Sequence, residues 1–170
     1  MPNFKRCKIT GGTYFFTVVL ANRDKQLLVE NFDLLSLSLN SVRKRFPFSL
    51  RGWVVLPDHL HCLWTLPEKD HDFPGRWWHI KNIFTRSYRQ RHGNAKTPVW
   101  QNRFWEHTIR NQADFDHHLD YIHFNPVKHG YVTKSWCWEY SSFRYFVKNG
   151  KYGADWGHGD NTIRNNVFGE

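Results

Sequence analysis

Two histidines are spaced so that they could bind a metal ion together. His59 and His61 are separated by one leucine in an otherwise apolar stretch. Because alternate side chains of a β-strand point to the same face, the two imidazoles, about 7 Å apart at Cα, can converge on one divalent cation. A His-x-His pair in a chain with eleven histidines is often incidental, so this motif is a weak signal by itself.

A tyrosine and an asparagine form the second motif. Tyr121 and Asn125 are four residues apart and therefore share one face of a helix. A tyrosine hydroxyl can attack phosphorus and leave a phosphotyrosine whose bond energy is kept for rejoining. An asparagine amide oxygen is a hard ligand suited to Mg²⁺ or Mn²⁺. The alternative is a half-buried tyrosine and an asparagine that only ends the helix before Pro126, and residue types alone favour this alternative.

The elements that must position these groups follow from hydrophobic periodicity and turn residues. Strands are predicted over residues 14–21, 48–56, 59–66 and 103–110, and helices over 31–46, 73–91 and from a cap at Asn111 to about Asn125. This order predicts an α+β fold, a ferredoxin-like split βαβ sandwich. Its antiparallel sheet carries helices on one face, and the added C-terminal helix bears the tyrosine. The open face of such a sheet is where a site can be built.

The rest of the chain carries no signal for a further domain. From Tyr131 onward the sequence is aromatic and irregular. We expect one catalytic domain over residues 1–150, with a basic N-terminal arm, followed by a loosely held tail over residues 151–170.

Composition favours a nucleic-acid partner. Among 170 residues, 24 Lys and Arg exceed 15 Asp and Glu, which gives a net charge of +9, and 18% of the residues are aromatic. Cationic side chains neutralise phosphates, and aromatic faces stack on unpaired bases. There is no apolar run of about 18 residues and no secretory signal, and the three cysteines form no CxxC motif. We therefore expect a cytoplasmic protein without a disulfide framework.

Three runs of residues together resemble the REP-associated tyrosine transposases, relatives of the small single-tyrosine insertion-sequence transposases in the HUH endonuclease superfamily. The runs are WVVLPDHLHCLW over 53–64, FWEHTIR over 104–110 and DYIHFNPVKHG over 120–130. The similarity spans nearly the whole chain, from Gly11 to Trp156. The combination of the first and last runs is far more specific than either alone.

The resemblance implies a concrete activity. His59 and His61 correspond to the histidine pair of the superfamily, and Tyr121 corresponds to the nucleophile. Asn125 stands where related enzymes place a third metal ligand, often the longer Gln. A Mg²⁺ or Mn²⁺ cofactor is implied, with cleavage of single-stranded DNA through a 5′-phosphotyrosine. The implied substrates are repetitive extragenic palindromes, hairpins flanked by a short conserved tetranucleotide.

Several cationic residues are candidate DNA contacts, and the basic N-terminal arm is the best candidate for reading the tetranucleotide. The candidates are Lys5, Arg6, Lys8, Lys81, Arg86, Arg103, Arg110 and Lys128. An ordinary tyrosine has a pKa of about 10, so the metal or a nearby cation must favour the phenolate of Tyr121. His117, His118, His123 and Lys128 are all near it in sequence, and the sequence does not choose among them.

Other residues stay without a firm role. Glu106 and His107 lie in a motif typical of the family, and the sequence gives no physical account of them. The tail, with Asp155 and Asp160, is a hypothetical cover for a cationic site.

Two other readings remain open at this point. A ferredoxin-like sheet with exposed aromatics also describes nucleic-acid-binding modules that do not cut. A zinc hydrolase could use His59 and His61 with the neighbouring Cys62, although successive strand residues point to opposite faces. The chain could act as a monomer, or as a homodimer in which one chain supplies the tyrosine to the other.

Overall fold

Four strands and five α-helices make up the part of the chain that the structure, a computed structural model, describes, namely residues 8–93 and 96–157. In chain order they are β1 (Thr13–Val19), α1 (Leu27–Glu30), α2 (Phe32–Arg45), β2 (Ser49–Val55), β3 (His59–Thr65), α3 (Phe73–His92), β4 (Trp105–Thr108), α4 (Gln112–Lys128) and α5 (Phe143–Lys148), with a 3₁₀ turn at Ser135–Cys137 before α5.

The strands form one antiparallel sheet in the order β2-β3-β1-β4. The hairpin strand β3 lies between β1 and β2, which is the split βαβ arrangement, so the predicted ferredoxin-like α+β fold is confirmed. The last strand is shorter than the predicted 103–110, and Arg103 and Arg110 therefore lie outside it. It ends early because the Arg110 backbone N–H donates to the Asp114 carboxylate at 3.0 Å, which turns the chain into α4.

One face of the sheet packs against α2 and α3. The even-numbered residues of β3, including Trp64, enter this core, where the Trp64 ring stacks on Trp77 of α3 at 4.4 Å and on Phe48 at 4.1 Å between centroids. The short helix α1 precedes α2 and buries Leu27 and Leu28. It is missing from the prediction because four residues are too few to show a helical period.

The other face of the sheet packs against α4. Phe15, Leu63 and Val54 form a second core with Leu119 and Ile122 of the helix. The helix approaches β2 so closely that a Cβ at Gly52 would lie 2.4 Å from the Leu119 Cδ1 atom. A side chain at this position would therefore push the tyrosine-bearing helix away from the sheet.

The ends of α4 agree with the prediction at one end only. Asn111 caps the helix and accepts from the Asp114 N–H at 2.9 Å, as expected. The helix does not end at Asn125 but continues through Pro126 to Lys128. The helix tolerates the proline because its last turn remains hydrogen-bonded. The His129 N–H donates to the Asn125 carbonyl at 3.0 Å.

The residues after α4 are more regular than predicted. Ser142, just before α5, accepts from the Trp53 N–H at 2.9 Å and bonds His123 Nε2 at 2.8 Å, so it fastens this segment to β2 and α4. The Tyr152 hydroxyl donates to Asp120 of α4 at 2.6 Å. A domain boundary at residue 150 stays a prediction, and Asp160 of the tail lies outside the described residues. Among the described residues, no helix has the length and apolarity to cross a membrane.

Candidate active site

The two histidines of β3 lie on the face that α4 covers. Both side chains are buried, and their ring centroids are 5.0 Å apart with planes at 82°. His61 Nδ1 is hydrogen-bonded to the Thr17 hydroxyl of the neighbouring strand at 2.8 Å. This contact follows from strand pairing, since Thr17 is the register partner of His61. It leaves Nε2 as the nitrogen that His61 can offer to a ligand.

Asp58 orients the other imidazole. His59 Nδ1 donates to one Asp58 carboxylate oxygen at 2.7 Å, and Arg23 Nε donates to the other at 2.6 Å. Burial raises the pKa of Asp58, but the hydrogen bonds from His59 and Arg23 outweigh it and hold the pKa at about 2. The carboxylate is therefore ionised at neutral pH, and it keeps the His59 proton on Nδ1. No functional role was predicted for Asp58 from the sequence, although its place directly before the histidine motif was a usable signal.

The donor set fits a divalent cation. His59 Nε2 is buried and has no hydrogen-bond partner among the described residues, while Nδ1 is held by a carboxylate. A buried imidazole nitrogen without a partner costs stability, and a carboxylate behind an imidazole is the usual support of a metal-binding histidine. Asn125 is also fully buried, one turn beyond Tyr121 on α4.

Tyr121 meets the histidines from the helix side. Its side chain is fully buried, and its ring centroid is 5.3 Å from that of His61. Lys128 Nζ donates to the phenol oxygen at 3.0 Å and lies 4.8 Å from the ring centroid. The phenol and the imidazole pair thus occupy one site within a single chain, with an ammonium group on the phenol oxygen.

Lys128 is the nearby cation that touches the phenol. The competing histidines are engaged elsewhere: His123 bonds Ser142, and burial lowers its pKa to about 3. His118 bonds the Asp114 carbonyl at 2.8 Å, and burial lowers its pKa as well. A direct contact between Lys128 and DNA phosphate stays a prediction.

His129 is a further neighbour of the site, with no functional role predicted from the sequence. It caps α4, and its ring centroid is 5.2 Å from that of His59. Both Lys128 and His129 are partly exposed, whereas the groups behind them are buried. They mark the side from which a phosphate can approach.

Two of the candidate DNA contacts lie on the opposite side of the sheet from the phenol. Lys81 and Arg86 lie on α3, across the sheet from α4, and Lys81 Nζ donates to the Gln101 carbonyl at 2.9 Å. Lys8, Arg103 and Arg110 are exposed. Lys5 and Arg6 lie outside the described residues. Binding of DNA by any of these residues stays a prediction.

Cys62 and the two histidines lie on opposite faces of the sheet, so they cannot bind one zinc ion together as a zinc hydrolase would require. Its side chain is in the core under α2 and α3, and burial raises the pKa of its thiol well above the usual range. The geometry therefore speaks against that alternative.

The comparisons with known proteins agree with one another. The chain is 48% identical over 156 residues to the REP-associated tyrosine transposase of Escherichia coli K12, covering 92% of this chain and 91% of that protein. It is 40% identical over 165 residues to a candidate REP-associated tyrosine transposase of Haemophilus influenzae, covering 92% and 94%. No protein-family model matches the chain.

Solved structures show the same relationship. A REP-associated tyrosine transposase bound to a REP hairpin matches with a TM-score of 0.91 and 46% identity, over 100% of this chain and 98% of that one. A candidate transposase from Deinococcus radiodurans R1 matches with a TM-score of 0.50 and 18% identity, over 67% and 91% of the two chains, and supports the fold alone.

Proposed function

The chain belongs to the family of REP-associated tyrosine transposases, and from this premise we propose that it cuts and joins single-stranded DNA through a covalent bond to Tyr121. It is a transposase-type enzyme. The observation that carries the proposal is the meeting of the Tyr121 phenol with His59 and His61 in one buried site, with Lys128 3.0 Å from the phenol oxygen.

His59, His61 and Asn125 would hold the cofactor, Mg²⁺ or Mn²⁺. The hydrogen bonds from His59 to Asp58 and between His61 and Thr17 fix both rings through their Nδ1 atoms, so each would ligate through Nε2. An amide oxygen beside two imidazoles suits these hard or borderline cations. When bound, the ion polarises the scissile phosphate and offsets the negative charge of the transition state.

The phenol supplies the covalent step. A bond forms between the Tyr121 oxygen and phosphorus while the bond from phosphorus to the 3′ oxygen breaks, which leaves a 5′-phosphotyrosine and a 3′-hydroxyl. The phenol gives its proton to solvent before or during the attack, and the departing 3′ oxygen takes up a proton from solvent. The Lys128 ammonium stabilises the negative charge on the phenol oxygen. In a buried site this attraction is stronger than in water. A 3′-hydroxyl reverses the step and rejoins a strand.

The substrate we propose is a single-stranded palindromic hairpin of the REP type. The relative with a TM-score of 0.91 is bound to a REP hairpin, and the net charge of +9 suits a polyanion. Because Tyr121 reaches His61 within one chain, we propose that a single chain carries out cleavage without a tyrosine from a partner.

The test is incubation of the protein with a 5′- or 3′-labelled single-stranded REP palindrome and Mn²⁺, followed by denaturing electrophoresis. We expect a protein–DNA adduct that survives denaturation, carries the label 3′ of the cut, and is absent for Tyr121→Phe. Hairpin binding by Tyr121→Phe at wild-type affinity would show that the loss is chemical. Binding without any adduct from the wild-type protein would instead support a non-cleaving module.

A further inference from the structure

A second group of metal-binding side chains lies at the other end of the face that α4 covers. His107 of β4 and Asp114 and His118 of the first turns of α4 each offer a ligand atom, and these atoms all lie within 4.8 Å of one another. Phe15 stands between this cluster and the proposed active site, since its ring centroid is 4.8 Å from His118 and 5.5 Å from His61. The proposed cleavage chemistry uses none of the three residues.

Each imidazole nitrogen lies close to a carboxylate oxygen of Asp114. His107 Nε2 is 2.9 Å from one Asp114 carboxylate oxygen, and His118 Nδ1 is 3.2 Å from the other. Ligands about 2.0–2.1 Å from a tetrahedral Zn²⁺ are about 3.3 Å apart, so little movement is needed to place an ion among them.

The two imidazoles are held in a matching orientation. The rings of His107 and His118 are stacked, with centroids 4.6 Å apart and planes at 14°, and both present a nitrogen to the same carboxylate.

We propose that His107, Asp114 and His118 form a second metal site, which takes a borderline divalent cation of the Zn²⁺ type. Two imidazoles and one carboxylate are a common zinc donor set with three protein ligands, and the fourth position is left to water. The His107 side chain, 25% exposed, gives the ion and that water a path from solvent.

In the metal-free protein, the nitrogens that would bind the ion make hydrogen bonds instead. His107 Nε2 donates to Asp114, and His118 Nδ1 donates to the Asp114 carbonyl at 2.8 Å. A bound cation takes the place of both hydrogen bonds, and each neutral imidazole then carries its proton on the other ring nitrogen, Nδ1 of His107 and Nε2 of His118. The site would then join the sheet edge at β4 to the first turns of α4, and His118 is three residues before Tyr121. Its role would be to fix the helix that carries the nucleophile.

The experiment separates this site from the proposed active site. The background is the double variant His59→Ala, His61→Ala, which cannot use the first site. After loading with Zn²⁺ and desalting, we expect this protein to retain about one zinc per chain by elemental analysis. Adding His107→Gln should reduce retention to near zero, whereas the matched control His117→Gln, an exposed histidine on the same helix, should leave it unchanged.

A second readout is optical. Co²⁺ added to the double variant should give the intense visible absorption of a four-coordinate site, and Zn²⁺ should remove it by displacement. Zn²⁺ should also raise the Tm of the double variant by about 5 °C at saturation and leave the Tm of the His107→Gln derivative unchanged. The proposal is overturned if the double variant retains no zinc, or if His107→Gln and His117→Gln retain it equally.

Because the two sites are tested by different measurements, DNA cleavage for one and zinc retention for the other, the outcomes stay distinct. Loss of DNA cleavage in the double variant bears on the proposed function alone. Retention of zinc in that variant bears on the second site alone.

Discussion

The two faces of β3 are equally buried but chemically opposite. Toward α2 and α3, Leu60, Cys62 and Trp64 pack in an apolar core, whereas His59 and His61 face α4. Burying apolar rings stabilises the fold. Burying imidazoles costs free energy unless each nitrogen finds a partner, and here Asp58 and Thr17 offset only part of that cost. The face toward α2 and α3 therefore mainly stabilises the fold, and the face toward α4 carries residues of the proposed active site.

Removing an imidazole from the α4 face should affect cleavage far more than folding. For His61→Ala we expect adduct formation to slow by at least about 10³-fold, because a metal ligand supplies several kcal/mol of transition-state stabilisation. The free energy of unfolding should change by only about 1–2 kcal/mol. Single-turnover cleavage and urea unfolding measure the two effects. Cleavage at the wild-type rate by a folded His61→Ala protein would contradict the comparison.

Truncation on the opposite face should show the reverse pattern. Trp64→Ala removes a ring stacked on both Phe48 and Trp77, and we expect it to lower the free energy of unfolding by about 3–5 kcal/mol. The measurement is urea unfolding followed by circular dichroism. In the fraction that remains folded, the adduct should still form. A loss below about 1 kcal/mol would show that this face is not the stabilising core.

The ammonium on the phenol oxygen should matter to the rate but not to binding. Lys128→Met keeps most of the aliphatic chain and removes the charge 3.0 Å from the Tyr121 oxygen. We expect the adduct to form about 10²-fold more slowly, as when one donor to a developing negative charge is lost. Hairpin affinity, measured by electrophoretic mobility shift, separates this role from a phosphate contact. A weaker complex with an unchanged rate of cleavage when saturated would assign Lys128 to binding instead.

The carboxylate behind His59 should tune the metal rather than the fold. Asp58→Asn keeps the shape but weakens the support of the His59 ring, and we expect the Mn²⁺ affinity to fall by about 10–100-fold. Titration calorimetry measures this change. The matched control is Asp24→Asn, a nearby exposed aspartate, which should bind Mn²⁺ as the wild-type protein does.

Asp58 should also make a small contribution to the pH dependence of the free energy of unfolding. Its pKa is about 2 in the folded chain, below the ordinary value of 3.8, so its contribution is present above pH 4 and is lost as the pH falls toward 2. As the pH falls, the free energy of unfolding of the wild-type protein should drop by about 1–2 kcal/mol more than that of Asp58→Asn. Urea unfolding at pH 5 and pH 3 is the measurement. Identical pH dependence in both proteins would show that the Asp58 contacts do not stabilise the fold.

The sequence predicted the order of strands and helices along the chain, including the helix that carries the tyrosine, because these elements depend on local periodicity. Local spacing could also have excluded His123, which is two residues from Tyr121 and therefore on another side of α4. It could not choose Lys128 over His118, because both lie near the tyrosine face of the helix. That choice depends on the contacts of His118 with Asp114, which are seen only in the folded chain.

Contacts between distant segments escaped prediction for a physical reason. His129 reaches His59 across 70 residues, and Arg23 reaches Asp58 across 35. Such pairs form only when segments distant in the sequence pack together, and nothing in the local pattern marks them. The need for glycine at position 52 also escaped prediction. It arises only because α4 brings Leu119 against β2 in the folded chain.

The most direct test of the account is anomalous diffraction from crystals soaked in Mn²⁺ at a concentration that supports cleavage. We predict a peak within about 2.3 Å of His59 Nε2 and His61 Nε2, with the Tyr121 oxygen facing it across the space for one phosphate. A fully occupied Mn²⁺ elsewhere in the chain, with no peak between the two imidazoles, would contradict the claim that imidazoles and phenol act on one cation.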